Sequence, residues 1–114
     1  MGYDIHGNQP TAPEGKHYRC SVWDWPYVAE LCQHLAPEET APCEIWAGEN
    51  CYGHGLDAVQ ALKLADKLHM LLSSGSVAAY LDDMHAPERR EYCDEDHIYV
   101  FVGFLRACGG FTIT

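Results

Sequence analysis

Any chemistry in this chain has to come from its thiols, its imidazoles and a scarce set of cations. Six cysteines and seven histidines stand among 114 residues. Cys51-Tyr52-Gly53-His54 sets one cysteine and one histidine at the two-residue spacing that zinc sites favour, and Cys43 lies in the same stretch. No second pair of that kind follows. Cys43, Cys51 and His54 are therefore weak metal candidates, set against the plainer expectation of unligated residues in a polar loop. The same residue types supply a thiolate–imidazole pair, either Cys51 with His54 or Cys20 with His17. Such pairs are normally assembled from distant segments, so closeness along the chain counts for little. No G-x-S-x-G, Walker, H-E-x-x-H or G-x-G-x-x-G pattern occurs. No catalytic residue, no resident metal and no cofactor is expected.

A second group suits binding rather than reaction. Arg19, Trp23, Trp25, Trp46, Tyr52, His54 and Arg106 form an aromatic and cationic set concentrated in or beside loops. Planar ligands stack on Trp and Tyr, and Arg pairs bidentately with phosphate oxygens. The structural alternative makes Trp23 and Trp25 core anchors and puts Arg106 in a last helical turn, where the helix dipole favours a cation. A third group, Tyr80, Met84, Tyr92 and Tyr99, flanks an acidic cluster (Glu91, Asp94, Glu95, Asp96) and has the composition of an interface core. Its plainer alternative has Tyr80 and Met84 filling a seam between helices.

Charge narrows the partners. Seventeen acidic residues face seven Lys and Arg, for a net charge of −10. Such a surface repels polyanions and gains nothing from counterion release, so a nucleic-acid polymer is not expected as partner. No apolar run approaches the roughly 20 residues that span a bilayer, and the start MGYDIHGNQP has no basic region followed by an apolar stretch. The expectation is a cytoplasmic protein without membrane contact, with its cysteines as reduced thiols. The length suits one domain over 1–114.

These residues need elements to hold them. Residues 2–6 read as a short edge strand, 7–15 as a turn-rich stretch, and 17–23 as a weakly alternating strand. Asp24 before Trp25 and Pro26 predicts a helix start, with Val28, Leu31, Cys32 and Leu35 on one face and Pro37 closing the segment. Residues 37–55 read as a long loop, with an extended piece at 44–47. Over 56–72 the pattern Val59, Leu62, Ala65, Leu68 and Leu72, widened by Leu64 and Leu71, predicts a second helix, and Gly75 predicts its stop. Ser76 then caps a third helix carrying Val77, Tyr80, Leu81 and Met84. Residues 86–95 read as an exposed charged loop. A fourth helix starts at Asp94 or Asp96, its β-rich run 98–102 leaving a strand as alternative. Cys108-Gly109-Gly110 ends it, and 111–113 extends beside the N-terminal strand. The fold class is mainly α (α+β): a small bundle of three to four helices with a short β-pair or small sheet from the terminal segments.

Several segments carry a resemblance. Met1-Gly2-Tyr3-Asp4-Ile5-His6-Gly7, then Gly15-Lys16-His17-Tyr18-Arg19 with Val22-Trp23-Asp24-Trp25-Pro26, then Gly53-His54-Gly55-Leu56, and finally Phe104-Leu105-Arg106 with Gly109-Gly110-Phe111-Thr112-Ile113, are similar to a family of small uncharacterised proteins of bacteria and their phages. The likeness spans most of the chain and implies a fold outline and a phage or prophage setting, with no activity attached. Some members carry a cysteine-rich, zinc-ribbon-like insertion before the last helix. Here 86–95 holds only Cys93.

Together these features lead to a non-enzymatic binding protein of a bacterial host's cytoplasm, sequestering a small anionic, nucleotide-like ligand to counter host defence. Oligomerisation is an option for completing the site. The alternative is an acidic adaptor or inhibitor that docks on a basic host protein, and the third is a zinc-dependent enzyme. Convergence of Arg19 and Arg106 on one aromatic-lined cleft is the geometry that favours the first.

Overall fold

The computed structural model describes residues 2–43, 45–46, 50–84 and 93–114, with the side chains of 83 and 84 left aside. Strand β1 (Gly2–Gly7) lies between β2 (His17–Ser21) and β3 (Phe111–Ile113), and both pairings are antiparallel. The N-terminal segment, expected at an edge, is thus the centre of the sheet. It pairs on both sides because the alternating segment after the turns and the last residues of the chain each find one of its edges. Tyr3, Ile5, Tyr18, Cys20, Phe111 and Ile113 point inward and are buried. Asp4 faces Arg19, and His6 faces His17, on the wet side.

Helix α1 (Trp25–Leu35) starts where its proline predicts, but Asp24 makes no capping bond through its side chain. In the turn before the helix the Ser21 hydroxyl accepts from the backbone N–H groups of Trp23 at 3.2 Å and Asp24 at 2.9 Å. Without a capping bond, the Asp24 carboxylate is available for another task. The stretch expected as a loop over 37–55 opens with one helical turn, α2 (Pro37–Thr40). Proline at its start and Glu38 and Glu39 in the first turn suit a helix N-terminus, and the Thr40 hydroxyl donates to the Ala36 carbonyl at 2.9 Å. Of the extended piece expected at 44–47, residues 44 and 47 lie outside the described residues, and Ile45 and Trp46 are in no strand. What is described beyond Thr40 is far from a polar loop: Cys43, Trp46 and Cys51 are all buried.

Helix α3 (Ala58–Ser73) opens with a capping box, in which Asp57 accepts from the Gln60 N–H and Gln60 from the Asp57 N–H. Its buried face is Ala61, Leu64, Ala65, Leu68 and Leu71, while Val59 and Leu62, expected in the stripe, are exposed. A leucine-rich helix offers two overlapping rows at 3.6-residue spacing. The row that holds two alanines is the one buried, since small side chains let neighbouring elements come close. Gly75, with φ +82°, turns the chain into α4 (Ser76–Met84), which buries Val77, Tyr80 and Leu81.

The last helix is α5 (Glu95–Ala107), so the strand alternative for 98–102 is not adopted. Tertiary packing overrides the β-rich composition: Ile98, Phe101, Val102, Phe104 and Leu105 all bury along one side. Helix α3 packs along α5, and α5 also meets β2 and a short 3-10 turn, Pro13–Gly15. Gly109 and Gly110, at φ +65° and +90°, reverse the chain into β3 through backbone shapes that side-chain-bearing residues rarely adopt. The buried apolar residues make one cluster around Trp25, Trp46, Phe101, Phe104 and Phe111. Most of the charged stretch 86–95 lies outside the described residues. Its end does not: Cys93 is buried, Asp94 caps α5 and Glu95 begins it.

Candidate functional site

At the start of α5 the surface opens into a cleft of about 450 Å³. Tyr18, Arg19 and Cys20 of β2 form one wall, Asp24 stands at the start of α1, and Asp94, Asp96, His97 and Val100 come from the beginning of α5. Asp94 is fixed by its capping role. Its carboxylate accepts from the His97 N–H at 3.0 Å, and the Asp94 N–H lies 3.3 Å from His97 Nδ1. That imidazole also stands between two carboxylates, with Nδ1 2.7 Å from Asp94 Oδ1 and Nε2 3.9 Å from Asp24 Oδ2.

Electrostatics in the cleft follow from burial and these contacts. Partial burial works against the Asp94 charge, but the His97 N–H, the His97 ring and the Asp96 N–H outweigh it and hold the carboxyl below its ordinary value. Burial pushes the Cys20 thiol up to about 11, even though the hydrogen bond from Tyr18 pulls the other way. Cys93 is pushed up to about 12, first by burial and then by Asp94. Tyr18 is likewise raised by burial, then by Cys20. Thiols this basic are protonated at neutral pH, so Cys20 is not a poised nucleophile despite facing the cleft. All six cysteines are free and buried.

The seven sequence candidates do not converge. Trp25 and Trp46 are core residues, stacked at 5.9 Å; the Trp25 indole N–H donates to the Trp46 carbonyl and the Trp46 indole N–H to that of Cys43. Trp23 is 68% exposed in the turn before α1. Tyr52 is stacked on Tyr3 at 6.0 Å. His54 is exposed while Cys51 is buried, so the two side chains part, and their turn serves the backbone: Gly53 N–H donates to Ile113 O and His54 O accepts from the Ile113 N–H. Among the described residues no three His, Cys, Asp or Glu side chains come together as a metal site, Cys43, Cys51 and His54 included.

Of the seven, Arg19 alone lines the cleft, and it also stands 3.9 Å from Asp4, itself bonded to His17 at 2.8 Å. Arg106 is bonded to Asp66 of α3 at 2.9 Å. It sits nine residues beyond His97, roughly 14 Å along the helix. Asp24, His97, Tyr18 and Val100 were not among the sequence candidates, while Cys20 entered only as a nucleophile paired with His17, and Asp94 and Asp96 only as part of an acidic cluster. The one local signal was Asp94-x-x-His97, a capping-box spacing that states nothing about the Asp24 carboxylate across the gap. Of the interface group, Tyr80 is buried with its hydroxyl 3.5 Å from Glu30, Tyr99 is exposed, and Tyr92 and the Met84 side chain lie outside the described residues. No helix among the described residues is long and apolar enough to cross a membrane. No family model matches the chain, and no curated protein or solved structure is significantly similar to it.

Proposed function

We propose that this protein is a non-enzymatic binding protein whose acidic cleft receives a basic side chain of a partner, a host protein if the phage setting implied by the resemblance holds. The observation that carries this reading is the lining of the cleft: Asp24, Asp94 and Asp96 face it, with Tyr18 and Val100 as apolar surface for an aliphatic stem. An anionic, nucleotide-like ligand is less well served. A phosphate entering there meets three carboxylates against the single guanidinium of Arg19, which already stands 3.9 Å from Asp4; the helix N-terminus that would attract it is capped by Asp94, and Arg106 is engaged with Asp66 at the far end of α5. The net charge of −10 adds long-range attraction for basic partners. Calorimetric titration with an arginine-rich peptide at pH 7.5 tests the reading, repeated with Asp24→Asn and Asp96→Asn and at raised salt. Binding that weakens in both variants and with salt supports it. A flat thermogram with the peptide, or a strong response to nucleotides, overturns it.

A further inference from the structure

Among the described residues, two capping boxes share one design with different third residues. In α3 the pair is Asp57 and Gln60; in α5 it is Asp94 and His97. Glutamine is an ordinary residue for this position and carries no titratable group. Histidine replaces it only at the helix start that faces the cleft, where a second carboxylate, Asp24, lies on the other side of the ring.

A neutral imidazole has one N–H and one bare nitrogen. With the proton on Nδ1, the ring donates to Asp94 across 2.7 Å and turns a lone pair toward Asp24. With the proton on Nε2, the ring turns that N–H toward Asp24, and the Nδ1 lone pair accepts the Asp94 backbone N–H that completes the capping box while standing beside the Asp94 carboxylate. Only the imidazolium presents a donor to each carboxylate. We propose that His97 is an acid-tightened latch: on protonation it joins Asp94, at the start of α5, to Asp24, at the start of α1, drawing the two helix starts together across the cleft. The Asp24 carboxylate is available for this because it makes no capping bond to α1.

Imidazoles change charge between about pH 5 and 8. Arg19, Asp24 and Asp96 are the other charged groups that line the cleft, and Glu95 follows Asp94 in the chain. Asp94 is held below the ordinary carboxyl value, and the Cys20, Cys93 and Tyr18 protons are held above theirs. For a basic partner, the latch adds a release condition, since in acid the carboxylates it needs are taken by His97.

A double-mutant cycle reads the latch without any partner, so it stands or falls separately from the binding reading. His97→Gln keeps the capping box, as Gln60 does in α3, and Asp24→Asn keeps shape while removing charge. Thermal unfolding of the wild type, both single variants and the double variant is measured at pH 5.5 and pH 7.5. A coupling of about 3 °C at pH 5.5 that vanishes at pH 7.5 supports the latch. Equal coupling at both pH values, or none at either, overturns it, because a merely structural contact does not depend on the proton.

Discussion

The two ends of α5 show opposite uses of the same helix. Its C-terminal end is closed by backbone packed on backbone. A Cβ placed on Gly15 would collide with the carbonyl oxygen of Ala107, one on Gly7 with that of Gly15, and one on Gly55 with that of Phe111. Backbone bonds stitch the same region: the Gln9 N–H donates to Cys108 O and the Thr11 N–H to Ala107 O, at 3.0 and 2.8 Å. Its N-terminal end is open, lined by carboxylates and an imidazole. The glycines of the segments quoted for the family resemblance gather at the closed end. Those glycines therefore describe how the chain folds back on itself, while Tyr18, Arg19 and Asp24 of the same segments reach the open end.

That contrast gives the largest expected effect. Gly15→Val forces a branched side chain against Ala107, with no flexible neighbour to yield, and should cost roughly 3 kcal/mol or more, enough to abolish cooperative folding in a marginal domain. Gly53→Ala is the control. Nothing lies within 4 Å of its Cβ position, and only its φ of +89° is strained; a loss of about 1 kcal/mol in denaturant titration is expected. Equal losses at the two sites would mean that the closed end is not special.

At the open end, the effect should fall on binding and spare folding. Asp24→Asn combined with Asp96→Asn removes two of the three cleft carboxylates while leaving the Asp94 cap intact. Affinity for an arginine-rich peptide should drop about tenfold at low salt, with the unfolding midpoint little changed. A lost midpoint with retained affinity would reverse the assignment of the two ends.

How much of this was legible in the sequence depends on the range of the signal. Helix starts at Trp25 and Glu95, the stops at Gly75 and Gly109-Gly110, and the pairing of the last strand with the first all follow from residues close in sequence or from simple alternation. The inward row of α3 was legible at Leu64, Ala65, Leu68 and Leu71, but not the exposure of Val59 and Leu62, which repeat as regularly and are placed by packing alone. Trp46 and Cys51 read as loop residues, yet a long connection that passes over a core can drop large side chains into it. The cleft was least visible. Asp24 and His97 are separated by most of the chain, and each has an adequate local explanation as a cap residue.

A subtler test concerns Asp94 alone. Asparagine is as good an N-cap as aspartate, so Asp94→Asn isolates the charge. The carboxyl is held below its ordinary value in the folded protein, so its charge stabilises at pH values above that ordinary range and the benefit disappears as pH falls through the lowered value. The variant should be less stable than wild type by under about 1 kcal/mol at pH 7, since the side chain is well exposed to solvent. The gap should close below about pH 4. A gap that stays open below the lowered carboxyl value would mean that the carboxylate is not what holds this helix start.

The smallest expected effect lies back at the closed end. Arg106 and Asp66 make a short ion pair, but their side chains are 44% and 72% exposed, and such pairs contribute little once solvent and side-chain entropy are counted. Arg106→Gln should change stability by about 0.5 kcal/mol or less and leave peptide affinity at the cleft within about twofold, because the charge lies roughly 14 Å from His97 and beyond a Debye length in ordinary buffer. This near-silence is informative. If Arg106 were the phosphate clamp of an anion site, its loss would remove nucleotide binding altogether; if it only bridges α3 and α5, calorimetry with nucleotides stays flat in wild type and variant alike, and the open end of α5 keeps the binding role to itself.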